Sequence, residues 1–320
     1  MGLTYEDARV LCDAALDGVA FDRTLTLGHQ RSYLTAGDLA ELSKDLGVNL
    51  PRDLLAPGAY SDSFFRDLLH TSTLDSLDAS AFEGATLVHD LNAPVDVERE
   101  QSYDAVIDGG TLEHVFNFPI ALANCMRMVQ PGGRLFVFTN ANNFLGHGFY
   151  QFSPELFYRA LSADTGFEVE QMLAVEYRFI GAEFGSLRPW YRVVDPDVVR
   201  KRVLVTNAHP LGLSIRAKKV EHRTDPFDQY PQQSDYLRSW AGDDSPKEES
   251  RSALKTFARK HLPLSLRERI NRVRTLWQNL HDQRTQFSLK NRDHFTPTAP
   301  RSLRDLQLPA SSPGGRRKRV

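Results

Sequence analysis

Apolar residues recur along this chain at two spacings, and the spacing changes wherever Gly, Pro, Asn or Asp accumulate. Thr4-Tyr5-Glu6-Asp7 has the form of a capping box, and Ala8, Leu11 and Ala15 continue one helical face, which predicts an opening helix over 5–17. Residues 23–27 alternate as a first strand and end at Gly28-His29-Gln30. Leu39, Leu42 and Leu46 predict a helix over 35–46, ended by Gly47. Residues 48–70 read as an insertion with a short helix around Phe64, Phe65, Leu68 and Leu69, expected to pack rather than to cover a site. Residues 74–77 and 85–89 read as the second and third strands, each running into an acid, Asp78-Ala79-Ser80 and Asp90-Leu91-Asn92.

The richest stretch is 103–154. A β-branched and aromatic run over 103–107 stops at Asp108-Gly109-Gly110, as a buried strand does at a turn, and Glu113-His114 follows. A helix is predicted next, with Asn117 as its cap, Pro119 in its first turn, Leu122, Met126 and Val129 on one face, and Pro131-Gly132-Gly133 as its stop. Leu135-Phe136-Val137-Phe138 is apolar without alternation, the pattern of a parallel strand covered on both faces. Beyond Pro154 the reading continues with a helix over 155–161, a sixth strand from Gly166 to Val169, and a hairpin over 203–220 turning at 209–212. No internal repeat is visible.

Composition then changes. Residues 222–250, rich in Asp, Gln, Ser and Pro, read as a linker. Ser265-Leu266-Arg267-Glu268 has the form of a second capping box, and Leu266, Ile270, Val273, Trp277 and Leu280 mark an amphipathic helix inside a basic segment over 251–285. Residues 286–320 are expected to be a disordered basic tail.

Gly28, Asp78, Asp90, Asp108 and Asn140 all fall at the carboxyl ends of successive predicted strands, the edge at which open α/β sheets bind ligands. The order of strand, acidic turn, Leu-Glu-His-Val, helix, Pro-Gly-Gly and apolar strand resembles the second half of a class I S-adenosylmethionine-dependent methyltransferase domain. The segment Asn142-Asn143 followed by Gly146 to Pro154 is similar to a bacterial subgroup of that family with poorly defined acceptors. The resemblance covers roughly residues 20–220 as a single domain, whose bounds are placed at 1–221. It implies a Rossmann-like, doubly wound, mostly parallel seven-stranded sheet with an antiparallel last strand, extended by the basic C-terminal part.

The resemblance also implies S-adenosylmethionine as cofactor, with contacts from Gly28, His29, Gln30, Asp78, Ala79, Asp90, Leu91, Asp108, Gly109 and Gly110. One carboxylate accepts from both ribose hydroxyls, which assigns Asp78 to the ribose. Asp90 with the Leu91 backbone matches the position that reads the adenine amino group. The cofactor loop departs from the family form, which has an acid and then glycines at alternate positions: here a single glycine is followed by His29 and Gln30.

Methyl transfer is an in-line displacement, so the protein must align two partners and remove a proton from the acceptor. His114 is the expected general base, with Glu113 and His147 shaping its surroundings and Tyr150 within reach of the same pocket. Glu113, His114 and His147 are also the types that hold a divalent ion, but the acid expected three residues before Glu113 is Gly110, so no metal is expected.

Charge sharpens the division of the chain. Residues 251–320 hold 17 of the 39 Lys and Arg but 4 of the 41 Asp and Glu, a net +13 that leaves −15 on residues 1–250. An acidic domain repels a phosphate backbone, so a small polar acceptor, such as a saccharide, is expected rather than nucleic acid. The absence of GxGxxG after the first strand and of Tyr-x-x-x-Lys argues against a nucleotide-dependent oxidoreductase or epimerase. A non-catalytic module on the same fold is the other alternative, suggested by the glycine-poor loop. The apolar stripe of the helix over 265–281 is expected to pack on the domain or pair with another chain, with contact to an anionic membrane as the alternative. Two cysteines, Cys12 and Cys125, give no disulfide framework or zinc spacing, and the acids among the first seven residues give no signal-peptide pattern, so a cytoplasmic location is expected.

Overall fold

The computed structural model describes residues 2–47, 58–177, 189–242 and 263–298. Sequence readings over 48–57, 243–262 and 299–320 lie outside the described residues. In chain order the elements begin with β1 (Gly2–Leu3), α1 (Tyr5–Leu16), β2 (Arg23–Leu27), β3 (Arg31–Ser32), α2 (Ala36–Leu46), a helical turn over Phe64–Leu68, β4 (Thr73–Asp78) and β5 (Leu87–Val88). They continue with β6 (Tyr103–Gly109), α3 (Phe118–Met128), β7 (Val129–Asn140), α4 (Pro154–Ala160), β8 (Phe167–Glu176), β9 (Trp190–Val193), α5 (Pro196–Val199) and β10 (Leu211–Lys219). α6 (Ser234–Trp240), α7 (Leu264–Thr285) and β11 (Phe295–Thr298) complete them.

The main sheet has the order β11-β9-β8-β10-β7-β6-β2-β4-β5. From β5 to β7 every pairing is parallel, while β10 runs antiparallel between β7 and β8. The expected seven strands are present as β5-β4-β2-β6-β7-β10-β8, but β9 and β11 add two antiparallel strands at the outer edge, so the count is nine.

Both faces are covered, which is why β7 carries four consecutive apolar residues. Leu135 and Val137 pack with α3 and α4 on one face, and Phe136 and Phe138 pack with α1, α2 and the Phe64–Phe65 pair on the other. The helices start where their caps dictate: in α1 and in α2 the capping threonine, Thr4 or Thr35, exchanges bonds with the acid three residues on, Asp7 or Asp38. A fully buried Arg9 ties α1 to α2, its guanidinium 3.8 Å from Asp45. Lys219, at the end of β10, is 1% exposed and donates to the carbonyls of Met126 at 2.9 Å and Val129 at 2.7 Å, covering the C-terminal carbonyls of α3.

Several local expectations are corrected. The hairpin over 203–220 is absent, because β10 finds both partners in distant strands and 203–205 runs without a ladder. Pro131-Gly132-Gly133 does not stop α3, which ends at Met128; it lies within β7. Asn117 makes no side-chain cap and instead bonds Asn92, whose Oδ1 accepts from the Asn117 amide at 2.8 Å. No side chain caps α7, which starts after Pro263, so the box at 265–268 falls inside the helix. The linker reading fails at α6, whose first amide donates to Glu155 at 2.7 Å and whose Arg238 pairs with Asp197. The disordered-tail reading fails over 286–298. There Phe287 accepts from the Thr206 amide at 2.8 Å, β11 pairs with β9, and Phe295 is 1% exposed. Burying one such phenylalanine stabilises by roughly 1.5–3 kcal/mol, which adds to the ladder with β9 in holding this strand at the edge.

Candidate active site

Parallel pairing from β5 to β7 brings the carboxyl ends of five strands to one edge, and the residues singled out there are neighbours in space. Gly28 follows β2 with φ +72°, a left-handed conformation that favours glycine. Asp78 ends β4 half-buried, and one of its oxygens accepts from the Ser80 amide at 3.2 Å. Asp90 is exposed two residues past β5, and its carboxylate, held below the usual range by bonds from Asn92, shapes the Asp90-Leu91-Asn92 turn. Ala79 is exposed on the β4 turn and Leu91 is buried.

The short loop after β2 differs from a glycine-rich one in a definite way. The His29 ring stacks on Tyr60 with 3.6 Å between centroids, and its two nitrogens meet the Glu83 carbonyl and Asp62, each at 2.8 Å. Gln30 is buried, donates through Nε2 to the Leu27 carbonyl, and lies flat against Gly109. A Cβ on Gly109 would sit 2.5 Å from Gln30 Oε1, so a larger residue there would displace the glutamine side chain.

Asp108 is completely buried. Its Oδ1 accepts from the amides of Thr111 at 2.7 Å and Leu112 at 3.3 Å, which fixes the turn that presents Glu113 and His114. Burial, reinforced by the neighbouring Glu113, pushes its carboxyl well above the ordinary aspartate range. Glu113 is 2% exposed, and burial raises its pKa too. Its Oε2 accepts from Thr139 at 3.0 Å, and its Oε1 lies 3.7 Å from His147 Nε2. The rings of His114 and His147 are 5.2 Å apart, and partial burial with His147 alongside lowers the His114 pKa.

Glu113, His114 and His147 each offer a ligand atom within 4.8 Å of the others, and among the described residues no other such group of three occurs. Together they could seat one divalent ion. Gly110, with φ +90°, replaces the further acid such a set would use.

A cavity opens beside Glu113, lined by Gly109, Phe138, Thr139, Asn140, Phe144, His147, Tyr177 and Gly212. Val175, Leu213 and Ser214 also line it, and a further wall comes from the N-terminal segment, Gly2, Thr4, Glu6 and Asp7. Sequence reading missed that wall. The capping box marked a helix start, but only the pairing of β1 with β3 and the docking of α1 carry that start to the strand ends. His114 is exposed and is not part of the cavity lining, whereas His147 is. Tyr150 does not reach the cavity: its hydroxyl donates to the Phe116 carbonyl at 2.6 Å and its ring packs on Phe118 and Phe152.

Three buried oxygens along this edge accept no hydrogen bond, Gln30 Oε1, Asp108 Oδ2 and Asn140 Oδ1. Buried acceptors left unpaired call for donors from a ligand. A ligand with an ammonium group and ribose hydroxyls supplies them, so the donor chemistry of S-adenosylmethionine fits this edge.

Residues 79–137, from the turn after β4 into β7, match the family model of the methyltransferase domain. No curated protein matches. Among solved structures, the chain resembles a methyltransferase from Thermotoga maritima at 15% identity, covering 67% of this chain and 91% of that one with a TM-score of 0.34. It also resembles the Burkholderia thailandensis 1,6-didemethyltoxoflavin-N1-methyltransferase, crystallised with its substrate and S-adenosylhomocysteine, at 13% identity, 68% and 78% coverage and a TM-score of 0.34. The YcgJ protein of Bacillus subtilis aligns at 12% identity, 66% and 99% coverage and a TM-score of 0.36. Residues 79–137 therefore match a methyltransferase domain, the activity for which S-adenosylmethionine is the expected cofactor.

Proposed function

We propose that this methyltransferase acts on an oxygen or nitrogen of a small polar molecule held in the cavity between α1 and the ends of β6 and β7. The observation that carries the reading is the buried Glu113, fixed by Thr139 and 3.7 Å from His147, at the wall of a cavity on the ligand-binding edge of the sheet. Asp78 would hold the ribose hydroxyls, and Asp90 with the Leu91 backbone the adenine. Gly28, Gln30, Asp108, Gly109 and Gly110 would surround the methionine half. When bound, the cofactor supplies an activated methyl group.

The chain's own part is to orient the acceptor and take its proton. His147 lines the cavity and is the first acceptor of that proton; His114, its pKa lowered and its ring beside His147, passes the proton to solvent. Glu113 holds His147 in place. The test is calorimetric titration with S-adenosylhomocysteine. Wild type should bind, and Asp78→Ala should weaken binding by about 1.5–3 kcal/mol, the range for a charge-assisted hydrogen bond. A flat titration for wild type removes the reading.

A further inference from the structure

We propose that the polar group held in the cavity beside Glu113 is carried on an aromatic ring, and that this ring lies against Phe116 and Phe149 at the cavity's mouth. The inference rests on the reading of that cavity as the acceptor site and deepens it by naming the body of the acceptor.

The turn after β6 and the loop after β7 meet at the carboxyl edge of the sheet, and each leaves a phenylalanine in solvent. Phe116 is 72% exposed and Phe149 is 68% exposed. Their rings meet edge to face, with 5.9 Å between centroids. The backbone that carries the pair is fixed. The amides of Phe149 and Tyr150 both donate to the Glu113 carbonyl, at 2.8 and 3.3 Å, and the Phe116 carbonyl accepts from the Tyr150 hydroxyl. The Tyr150 ring packs on the buried Phe118 and Phe152, which anchors the loop in the core one residue from Phe149. An apolar pair held ready in water at the edge of a pocket marks a binding surface.

The pair is continuous with the cavity. Phe149 follows His147, a lining residue, by two positions, and Phe116 follows His114 by two. A Cβ on Gly148, between His147 and Phe149, would stand 3.1 Å from the Glu113 side chain. Phe144, also in the lining, has its ring 5.9 Å from that of His147, and the His147 ring is 5.2 Å from that of His114. A flat π-system finds ring faces and ring edges along this row.

Size and charge choose the occupant. The cavity volume is about 160 Å³, close to that of an engineered cavity that takes benzene, so anything larger than one compact group extends past its mouth. Two phenylalanines offer roughly 150–250 Å² each, short of the about 800 Å² per partner that a stable contact with a second copy covers. Residues 109–117 and 141–153 contain no Lys or Arg, so these loops have no charge to draw them to an anionic membrane. The Tyr150 hydroxyl is engaged by Phe116 and the Asn117 side-chain amide by Asn92, which leaves rings rather than hydrogen-bond partners for a saccharide.

2-Naphthol, cyclohexanol and methyl α-glucoside carry a hydroxyl on three different bodies, so they serve as probes. Their binding to the full chain would be followed by NMR line broadening, with and without S-adenosylhomocysteine. 2-Naphthol should bind about tenfold tighter than cyclohexanol, and the glucoside should not compete. Phe116→Ser and Phe149→Ser, both at exposed positions, should each weaken 2-naphthol about tenfold while S-adenosylhomocysteine affinity holds. Trp277→Ser, on the exposed stripe of α7, should leave it unchanged. No 2-naphthol binding at millimolar concentration, displacement by the glucoside, or an affinity lost in Trp277→Ser but kept in both phenylalanine variants overturns the inference. So does a wild-type dimer in sedimentation that either phenylalanine variant dissociates, since the pair is then a self-association face. A chain that binds S-adenosylhomocysteine yet shows no phenylalanine-dependent 2-naphthol binding loses this inference alone, whereas one that binds no S-adenosylhomocysteine loses the parent reading and this one with it.

Discussion

The amide of Phe149 donates to the backbone carbonyl of Glu113 at 2.8 Å, tying the loop after β7 to the turn after β6. Gly148 makes that approach possible. Its φ is +75°, and a Cβ there would stand 2.8 Å from the same carbonyl. Gly148→Ala should therefore cost about 1–3 kcal/mol, combining the left-handed penalty with a displaced carbonyl. Urea unfolding measures it, and a variant as stable as wild type contradicts the role.

The two histidines separate by position. With His147 against the acceptor, His147→Ala should lower turnover by roughly 10²–10⁴ while S-adenosylhomocysteine affinity holds. His114→Ala should have a smaller effect. If His114→Ala costs far more than His147→Ala, the first proton acceptor is His114.

Chelator distinguishes a base from a metal at the same three residues. Turnover is expected to be unchanged after dialysis against EDTA. A collapse restored by Mg²⁺ or Mn²⁺ would make Glu113, His114 and His147 ligands instead.

Asp108 gives a pH dependence whose sign follows from burial. Its folded pKa lies above the unfolded value, so between the two the native state holds the extra proton. Stability is then greatest below the unfolded value and is lost as pH rises toward the folded one. Asp108→Asn keeps an oxygen for the Thr111 and Leu112 amides and removes the titration. Its melting temperature should fall less than wild type's as pH rises above the ordinary aspartate value; parallel slopes would show that Asp108 does not carry the effect.

The stripe on α7 also makes a prediction. Ile270, Val273, Leu276 and Trp277 are 49–72% exposed, with Arg269, Arg272 and Arg274 on the same helix. A basic amphipathic face suits an anionic lipid surface. Vesicles containing phosphatidylserine should float the chain and neutral vesicles should not, and equal recovery ends the idea.

Local pattern carried most of the fold because most elements here declare themselves locally. The continuous apolar run of β7, the paired capping threonines of α1 and α2, and the placement of acids at the end of β4 and after β5 are all declared within a few residues. What was illegible depends on partners far away in the chain. Asn117 looks like a cap until Asn92 meets it from another loop. Gln30 looks like a turn residue until its amide is seen filling the space beside Gly109. β11 reads Phe-Thr-Pro-Thr, and Pro297 argues against a strand unless the strand is an edge, where a missing N–H costs nothing. In the site, the sequence placed Glu113 and His147 near each other, as the structure has them, but the wall from Glu6 and Asp7 was not legible, since no local signal says where a helix start will dock.

The pairing of Val193 with Phe295 has a consequence for how the protein is made. β9 emerges about a hundred residues before the strand that closes its outer side, an interval of roughly 5–20 seconds at 5–20 residues per second. Throughout it the sheet ends in an unprotected row of amides and carbonyls, a template for pairing with another chain. Crowded translation therefore puts this protein at risk chiefly before residue 298 has emerged, and a chain cut short within α7 keeps that open edge for its lifetime.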